Sequence, residues 1–411
     1  MNDLIERIDK KVRPVHAAIE ERALKNQEKV LAAFQGQHIA ESDLIGTFGY
    51  GYDDTGRDQL EALYARVFKA EDAIVRPQVI SGTHAITLAL ASNLKHGDEL
   101  LYITGEPYDT LLEVIGVNGT GIGSLIENGV TYNTVPLKEG EIDIESVLAA
   151  LSVKTKVIAI QRSKGYASRP SLTIAQIEAA IKVIRTMHPD KIIFVDNCYG
   201  EFVEEREPIE IGADLIAGSL IKNPGGGLCK IGGYIAGKKE LIERIGYRLT
   251  APGIGKEAGA SLYSLHEMYQ GFFLAPHVVS QSLKGAVFTA AILEELGMET
   301  SPKYNDNRTD LIQSVTFNDA EKMITFCQAI QSASPINSQF APMPAYMPGY
   351  EDDVIMAAGT FIQGASIELT ADGPLRAPYE AYVQGGLTYE HVKLAIIQAV
   401  RALQDKGILT I

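Results

Sequence analysis

Residues 191–230 read KIIFVDNCYGEFVEEREPIEIGADLIAGSLIKNPGGGLCK, and two short apolar runs inside them decide the fold. The first, IIFV at 192–195, is too short for a helix and rich in β-branched residues, so it predicts a buried parallel strand ending in Asp196 and Asn197. The second, LIA at 215–217, leads into Gly218, Ser219 and, three positions later, Lys222, before a flexible Pro-Gly-Gly-Gly at 224–227. In open α/β sheets the carboxyl edge of the strands holds the ligand. Chemistry is therefore expected where these runs end.

A lysine among apolar and small residues is useful when its amine is neutral, because desolvation favours loss of the proton and the free amine can form an imine with a carbonyl. Pyridoxal phosphate exploits such a lysine, together with a carboxylate that keeps its pyridine nitrogen protonated. Lys222 and Asp196 suit these two roles. Taken singly, Asp196 suits a helix cap and Lys222 a solvated loop; their joint placement favours the chemical reading.

These blocks carry a resemblance. VDNCYGEF resembles the strand-end segment, and GSLIK the lysine segment, of fold-type I pyridoxal-phosphate enzymes of the cystathionine and methionine γ-lyase group. Over its whole length the chain resembles the bacterial family labelled aluminium resistance protein or methionine γ-lyase family protein. The resemblance implies a pyridoxal-phosphate transferase-like α/β fold, with a mostly parallel central sheet of the seven-stranded type and a smaller α+β carboxyl-terminal domain. It implies three parts: a helical arm and inter-subunit loop at 1–57, a large cofactor-binding domain at 58–285 and the small domain at 286–411.

Composition agrees with a large soluble core: 411 residues, 46% hydrophobic, with a net charge of −15 from 37 basic and 52 acidic residues. Such an acidic balance argues against nucleic acid or an anionic membrane as partner. No apolar stretch is long enough to span a bilayer, so a cytoplasmic location is expected. Cys198, Cys229 and Cys327 show neither disulfide pairing nor metal-ligand spacing and read as small buried residues, although Cys198 lies close enough to Lys222 and Asp196 to react.

Residues 1–40 have apolar positions at helical spacing and predict a long amphipathic helix able to pack on a neighbouring subunit. The loop after it contains Tyr50, Tyr52 and Arg57. In the resembled enzymes a Tyr and an Arg from this region reach across a dimer to the cofactor phosphate, which makes these three candidates, although their tight Tyr-x-Arg spacing is missing. A helix is expected to start near Asp58. Ser81, Gly82 and Thr83 precede the apolar helix AITLALASNL, where unpaired N–H groups and positive dipole character favour a phosphate; the triplet also suits a plain helix cap.

Tyr108 follows the strand LLYIT, where the resembled enzymes stack an aromatic ring on the cofactor; a surface turn is the other reading. The glycine-rich 116–129 lacks both nucleotide-binding spacings and reads as a loop. Arg162, at the end of the strand KVIAI, suits either a substrate carboxylate or solvent. A long helical region is expected at 256–296, interrupted near Pro276, and the resemblance implies that it joins the domains. In the carboxyl-terminal part SIELT, 366–370, reads as a strand, and residues 371–376 follow it, where the resemblance makes Arg376 the clamp on the substrate α-carboxylate.

The expectation is thus a pyridoxal-phosphate enzyme acting on an amino acid, a carbon–sulfur lyase by resemblance, assembled as a dimer of dimers. Lys222 holds the cofactor and moves the α-proton; Asp196 faces the ring nitrogen; Ser81, Gly82, Thr83 and Ser219 bind phosphate. The same parts serve an aminotransferase, racemase or aldolase, because the bond that breaks depends on geometry. A non-catalytic protein of the same fold, linked to metal tolerance, is the alternative from another class.

Overall fold

A computed structural model describes residues 1–347 and 350–409. Its larger sheet contains β1 (Asp72–Arg76), β2 (Glu99–Tyr102), β3 (Thr131–Thr134), β4 (Thr155–Gln161), β5 (Ile192–Asp196), β6 (Leu215–Ser219) and β7 (Gly233–Gly237), in the spatial order β1-β7-β6-β5-β4-β2-β3. Strands β3 to β6 run parallel through β2, and only β7 is antiparallel to its neighbours. Every residue of β5 and of β6 is buried, as strands covered on both faces require. This is the mostly parallel seven-stranded sheet expected from the sequence.

Register aligns the polar ends. Gln161 pairs with Asp196, and Asp196 with Ala217, so the ends of β4, β5 and β6 lie side by side at one edge. Helices α2 (Thr55–Phe68), α3 (Gly82–Asn93), α4 (Asp109–Ile115), α5 (Ile144–Ala150), α6 (Ile174–Met187) and α7 (Lys239–Leu249) belong to this half. Helix α2 starts at Thr55, earlier than Asp58, because the Asp54 carboxylate accepts the Arg57 N–H and caps the first turn.

The first helix, α1 (Asn2–Gly36), is continuous and lies along α8 (Leu265–Glu295) of its own chain, burying Leu4, Ile8, Val12, Ile19 and Val30. The arm is therefore anchored on its own chain, and ion pairs from Arg7 and Lys11 to Glu295 bracket one end. Two expectations about α8 need correction. Residues 256–264 form a short 3₁₀ turn and loop, so the helix begins only at Leu265. Pro276 does not interrupt it: one missing N–H is outweighed by an apolar face that includes Phe272, Val279 and Leu283.

The smaller sheet is antiparallel, in the order β10-β11-β12-β9-β8, from β8 (Glu299–Ser301), β9 (Gln313–Thr316), β10 (Val354–Ala357), β11 (Thr370–Pro374) and β12 (Glu380–Gln384). Helices α9 (Ala320–Ser332) and α10 (Tyr389–Asp405) pack together beside it. The strand expected at SIELT, 366–370, is displaced along the chain: β11 begins at Thr370 and runs through Pro374. Gly373 permits this, since a Cβ there would meet the Glu380 carbonyl at 2.5 Å. Pro374 comes after the last β11 residue paired with β12, where its missing N–H costs no ladder bond. No helix among the described residues is long and apolar enough to cross a membrane.

Candidate active site

The ends of β4, β5 and β6 and the start of α3 enclose a cavity of about 190 Å³, lined by Ser81, Gly82, Thr83, Tyr108, Asp196, Ser219 and Lys222. Seven residues scattered over 142 positions of sequence thus share one wall. Gln161, Ser163, Gly165, Cys198 and Tyr199 also line it, with Ile86, Leu111 and Ile221 among the apolar residues.

At the start of α3 the Ser81 hydroxyl accepts the His84 N–H at 3.1 Å, so Ser81 does cap the helix. Capping leaves other first-turn N–H groups free for an anion. Gly82 is required by proximity: a Cβ there would stand 3.1 Å from Ser219 Cβ and 3.5 Å from Cys198 Sγ. This close packing brings the helix start against the ends of β5 and β6.

Asp196 is buried, with Oδ1 accepting the Cys198 N–H at 3.1 Å. Burial pushes its carboxyl above the ordinary aspartate value, while Lys222, the Cys198 hydrogen bonds and Arg169 pull the other way. The Lys222 ammonium lies 3.9 Å from the centroid of the Tyr199 ring. Opposing influences set its electrostatics. Burial does lower its pKa, but the potential of Cys198, Tyr199 and Asp196 outweighs burial and the net direction is upward. The Cys198 thiol and Tyr199 phenol are themselves pushed up by burial and remain neutral near pH 7. Tyr199 adopts φ 70°, a left-handed conformation that costs a tyrosine roughly 1 kcal/mol and is a form of strain that concentrates at functional sites.

Tyr108 precedes α4, and its backbone N–H donates to Gln161 Oε1 at 2.6 Å. Gly165, at φ +56°, leaves room for its ring: a Cβ there would meet Tyr108 Cδ2 at 2.9 Å. The Tyr108 hydroxyl is hydrogen-bonded to that of Tyr350, from the proline-rich loop of the carboxyl-terminal half. Tyr166 stands 5.7 Å from Tyr108 and donates to Asp372 at 2.8 Å. Burial lifts Asp372 to about 6 despite hydrogen bonds from Tyr166 and Gln384. Strand β11 thus supplies a buried carboxyl behind the aromatic wall.

Other sequence candidates lie elsewhere. Arg162 is not available to a substrate carboxylate: it is fully buried and donates to Thr309, Asn197 and Glu204, with Glu207 3.7 Å away. Its guanidinium packs on Gly200, where a Cβ would lie 2.5 Å from Nη1. Arg162→Met is therefore expected to lower unfolding free energy by about 3 kcal/mol, since the buried Glu207 loses its cation, and urea denaturation measures this. Arg376 is 47% exposed, pairs with Asp352 at 3.1 Å and does not line the cavity, which corrects its expected position as a carboxylate clamp.

Arg57 is also engaged. Its Nη1 donates to the carbonyls of Gly51 at 2.7 Å and Gly259 at 3.1 Å, and it pairs with Asp58, so it ties the loop to the segment before α8. Tyr50 and Tyr52 stack on each other at 5.4 Å, are largely exposed and do not line the cavity. Arg169 was not anticipated; it donates to the carbonyls of Gln161 and Ser163 and adds positive potential at Asp196. Gln161 had a readable signal, as the last residue of a buried strand beside Asp196.

Comparison with known proteins adds identity to geometry. Residues 1–404 match the family described as methionine gamma-lyase. The chain is 63% identical over 397 residues to the uncharacterized protein YnbB of Bacillus subtilis, covering 96% of this chain and 94% of that one. A Listeria monocytogenes crystal structure, provisionally named a cystathionine beta-lyase involved in aluminum resistance, superposes with a TM-score of 0.96 at 58% identity, covering 98% and 100% of the two chains. At 17% identity the pyridoxal-5'-phosphate-dependent protein YhfS of Escherichia coli shares the fold, with a TM-score of 0.62 over 93% of this chain and 97% of that one.

Proposed function

Because the chain belongs to the methionine gamma-lyase family, we propose that it is a pyridoxal-phosphate-dependent carbon–sulfur lyase acting on a sulfur-containing amino acid. The observation that carries this is the convergence of Lys222, Asp196 and the α3 start on one cavity. The donor set fits the cofactor at each end: an amine for its carbonyl, a carboxylate for its ring nitrogen, and hydroxyls with free helix N–H groups for its phosphate. Ser81, Gly82, Thr83 and Ser219 would hold the phosphate, Lys222 the carbonyl carbon as a Schiff base, and Tyr108 a ring face. Bound there, pyridoxal phosphate supplies an electron sink for cleavage of bonds at the substrate α-carbon.

The remaining work belongs to this chain. Lys222 Nζ, once released, takes the α-proton, and Asp196 and the Tyr199 ring face set its position and charge. Tyr108 remains a protonated phenol at neutral pH, because burial and the neighbouring Tyr350 and Tyr199 push it up, so it can donate a proton towards a leaving thiolate. The Tyr108–Tyr350 pair and Tyr166 exclude water from that side. A homo-oligomer belongs to the same reading, with the exposed Phe48, Tyr50, Tyr52 and Tyr263 meeting a second copy.

The test is a panel of thioether amino acids incubated with purified protein and the cofactor. Keto acid, ammonia and thiol are expected in equal amounts. Firm cofactor binding without release of any product would favour the non-catalytic alternative, and amino transfer without thiol would favour an aminotransferase.

A further inference from the structure

Beneath the Lys222 segment lies a buried polar cluster with no part in the reaction described above. Glu201 is fully buried, and its Oε1 accepts the Tyr234 hydroxyl at 2.8 Å. A Cβ on Gly218 would come within 2.5 Å of that oxygen, so the carboxyl lies against β6 one residue before Ser219. Its Oε2 is buried with no hydrogen-bond partner.

Asn223, which follows Lys222, donates from Nδ2 to the carbonyls of Tyr199 and Glu201, both at 3.0 Å. Two carbonyl acceptors settle which end of the amide is the nitrogen. Asn223 Oδ1 is therefore an acceptor, and it too is buried without a donor. Two buried acceptors, on residues already joined by one hydrogen bond, leave a donor missing, and a buried polar group without a partner is costly. A proton on Glu201 would supply that donor.

We propose that Glu201 is a positioning residue held as a neutral carboxylic acid, whose Oε2–H donates to Asn223 Oδ1, directly or through one buried water, and so fixes the backbone that carries Lys222. The proposal rests on the reading of Lys222 as the amine that holds the cofactor and adds what holds Lys222 in place.

The surroundings agree. Burial raises Glu201 to about 8, against its backbone and Tyr234 hydrogen bonds; Glu207 adds to the rise and Lys222 opposes it. Tyr64, Tyr234 and Cys198 are also coupled to Glu201, and each is pushed up by burial and neutral near pH 7. Glu207 does not compete for a proton donor, because the Asn197 amide, the Phe202 N–H and Arg162 already satisfy it. The unfolded chain releases the Glu201 proton near 4.5 and the folded chain near 8. Its contribution to stability is thus full below the first value and is lost as pH rises through the second.

The experiment compares full-length wild type, E201Q and E201A with pyridoxal phosphate added, by melting temperature from pH 6 to 10 and by the visible absorbance of the lysine-bound cofactor. A glutamine keeps an acceptor for Tyr234 and a donor for Asn223 and cannot titrate. E201Q is expected to match wild type at pH 6 in absorbance and to within about threefold in turnover, while wild type loses several degrees relative to it between pH 6 and pH 9. E201A is expected to lose more than tenfold in turnover. If E201Q is as impaired as E201A at pH 6, or if the gap between wild type and E201Q is flat from pH 6 to 9, the proposal is overturned. The melting curves require no substrate, so they decide the matter even if no lyase product is found.

Discussion

Lys222→Ala is expected to reduce turnover by at least about 10³-fold and to abolish covalent capture of the cofactor. Lys222 is the one amine lining the cavity. Lys164, another buried lysine of the same half, has its Nζ 2.9 Å from Ser314 Oγ, and burial lowers its pKa. Alanine removes both the carbonyl-binding amine and the proton carrier, and nothing else in the wall supplies either. Borohydride reduction followed by peptide mass mapping reads the result: a pyridoxyl group on the Lys222 peptide in wild type and none in the variant. A label on Lys164 or any other lysine would displace Lys222 from the centre of the mechanism.

The fold was legible because its deciding elements are governed locally. Short apolar runs such as 192–195 and 215–217 have one burial solution, a strand covered on both faces, and their polar ends mark the functional edge. The α3 start was legible for a similar reason, since its Ser-Gly-Thr triplet carries both the cap and the close approach to Ser219. Long-range effects were hidden. The continuity of α8 through Pro276 depends on its packing, and the extension of β11 through Gly373 depends on the Glu380 carbonyl across the β11–β12 pair.

The arginines show the same division within the site. Arg162 stands at a strand end, where a substrate-facing side chain is expected, yet its partners Thr309, Glu204 and Glu207 come from other segments and turn it inward. Arg376 follows β11, but Asp352 engages it outside the cavity. Nothing in the spacing of either residue discloses its partner. Conversely, Arg169 reaches Asp196 from a loop with no motif of its own. Lys222 lines the cavity after the end of β6, and its titration is set by burial, which lowers its pKa, against Cys198, Tyr199 and Asp196, which raise it, a balance that its neighbours in sequence do not disclose.

Asp196→Asn is expected to leave the cofactor bound but to slow exchange of the substrate α-hydrogen by roughly 10²- to 10³-fold, equivalent to about 3–4 kcal/mol of barrier. The amide has the same shape and can still accept the Cys198 N–H that Oδ1 accepts at 3.1 Å, so the wall should persist. What disappears is the negative charge. On the proposed reading that charge has two tasks: it would keep the cofactor's ring nitrogen protonated, and it raises the affinity of Lys222 for its proton. Without it, Lys222 should titrate lower, because burial is then less opposed. Two readouts therefore move together in the variant, namely slower loss of α-deuterium into solvent and a downward shift in the pH at which the lysine-bound cofactor changes its absorbance. Unchanged exchange with unchanged absorbance would mean that another group sets the protonation of the ring. Another carboxylate that feels Lys222 and stands behind the aromatic wall is Asp372, which Tyr166 and Gln384 already engage. An Asp372→Asn control separates the two, since it is expected to leave exchange within a few-fold of wild type.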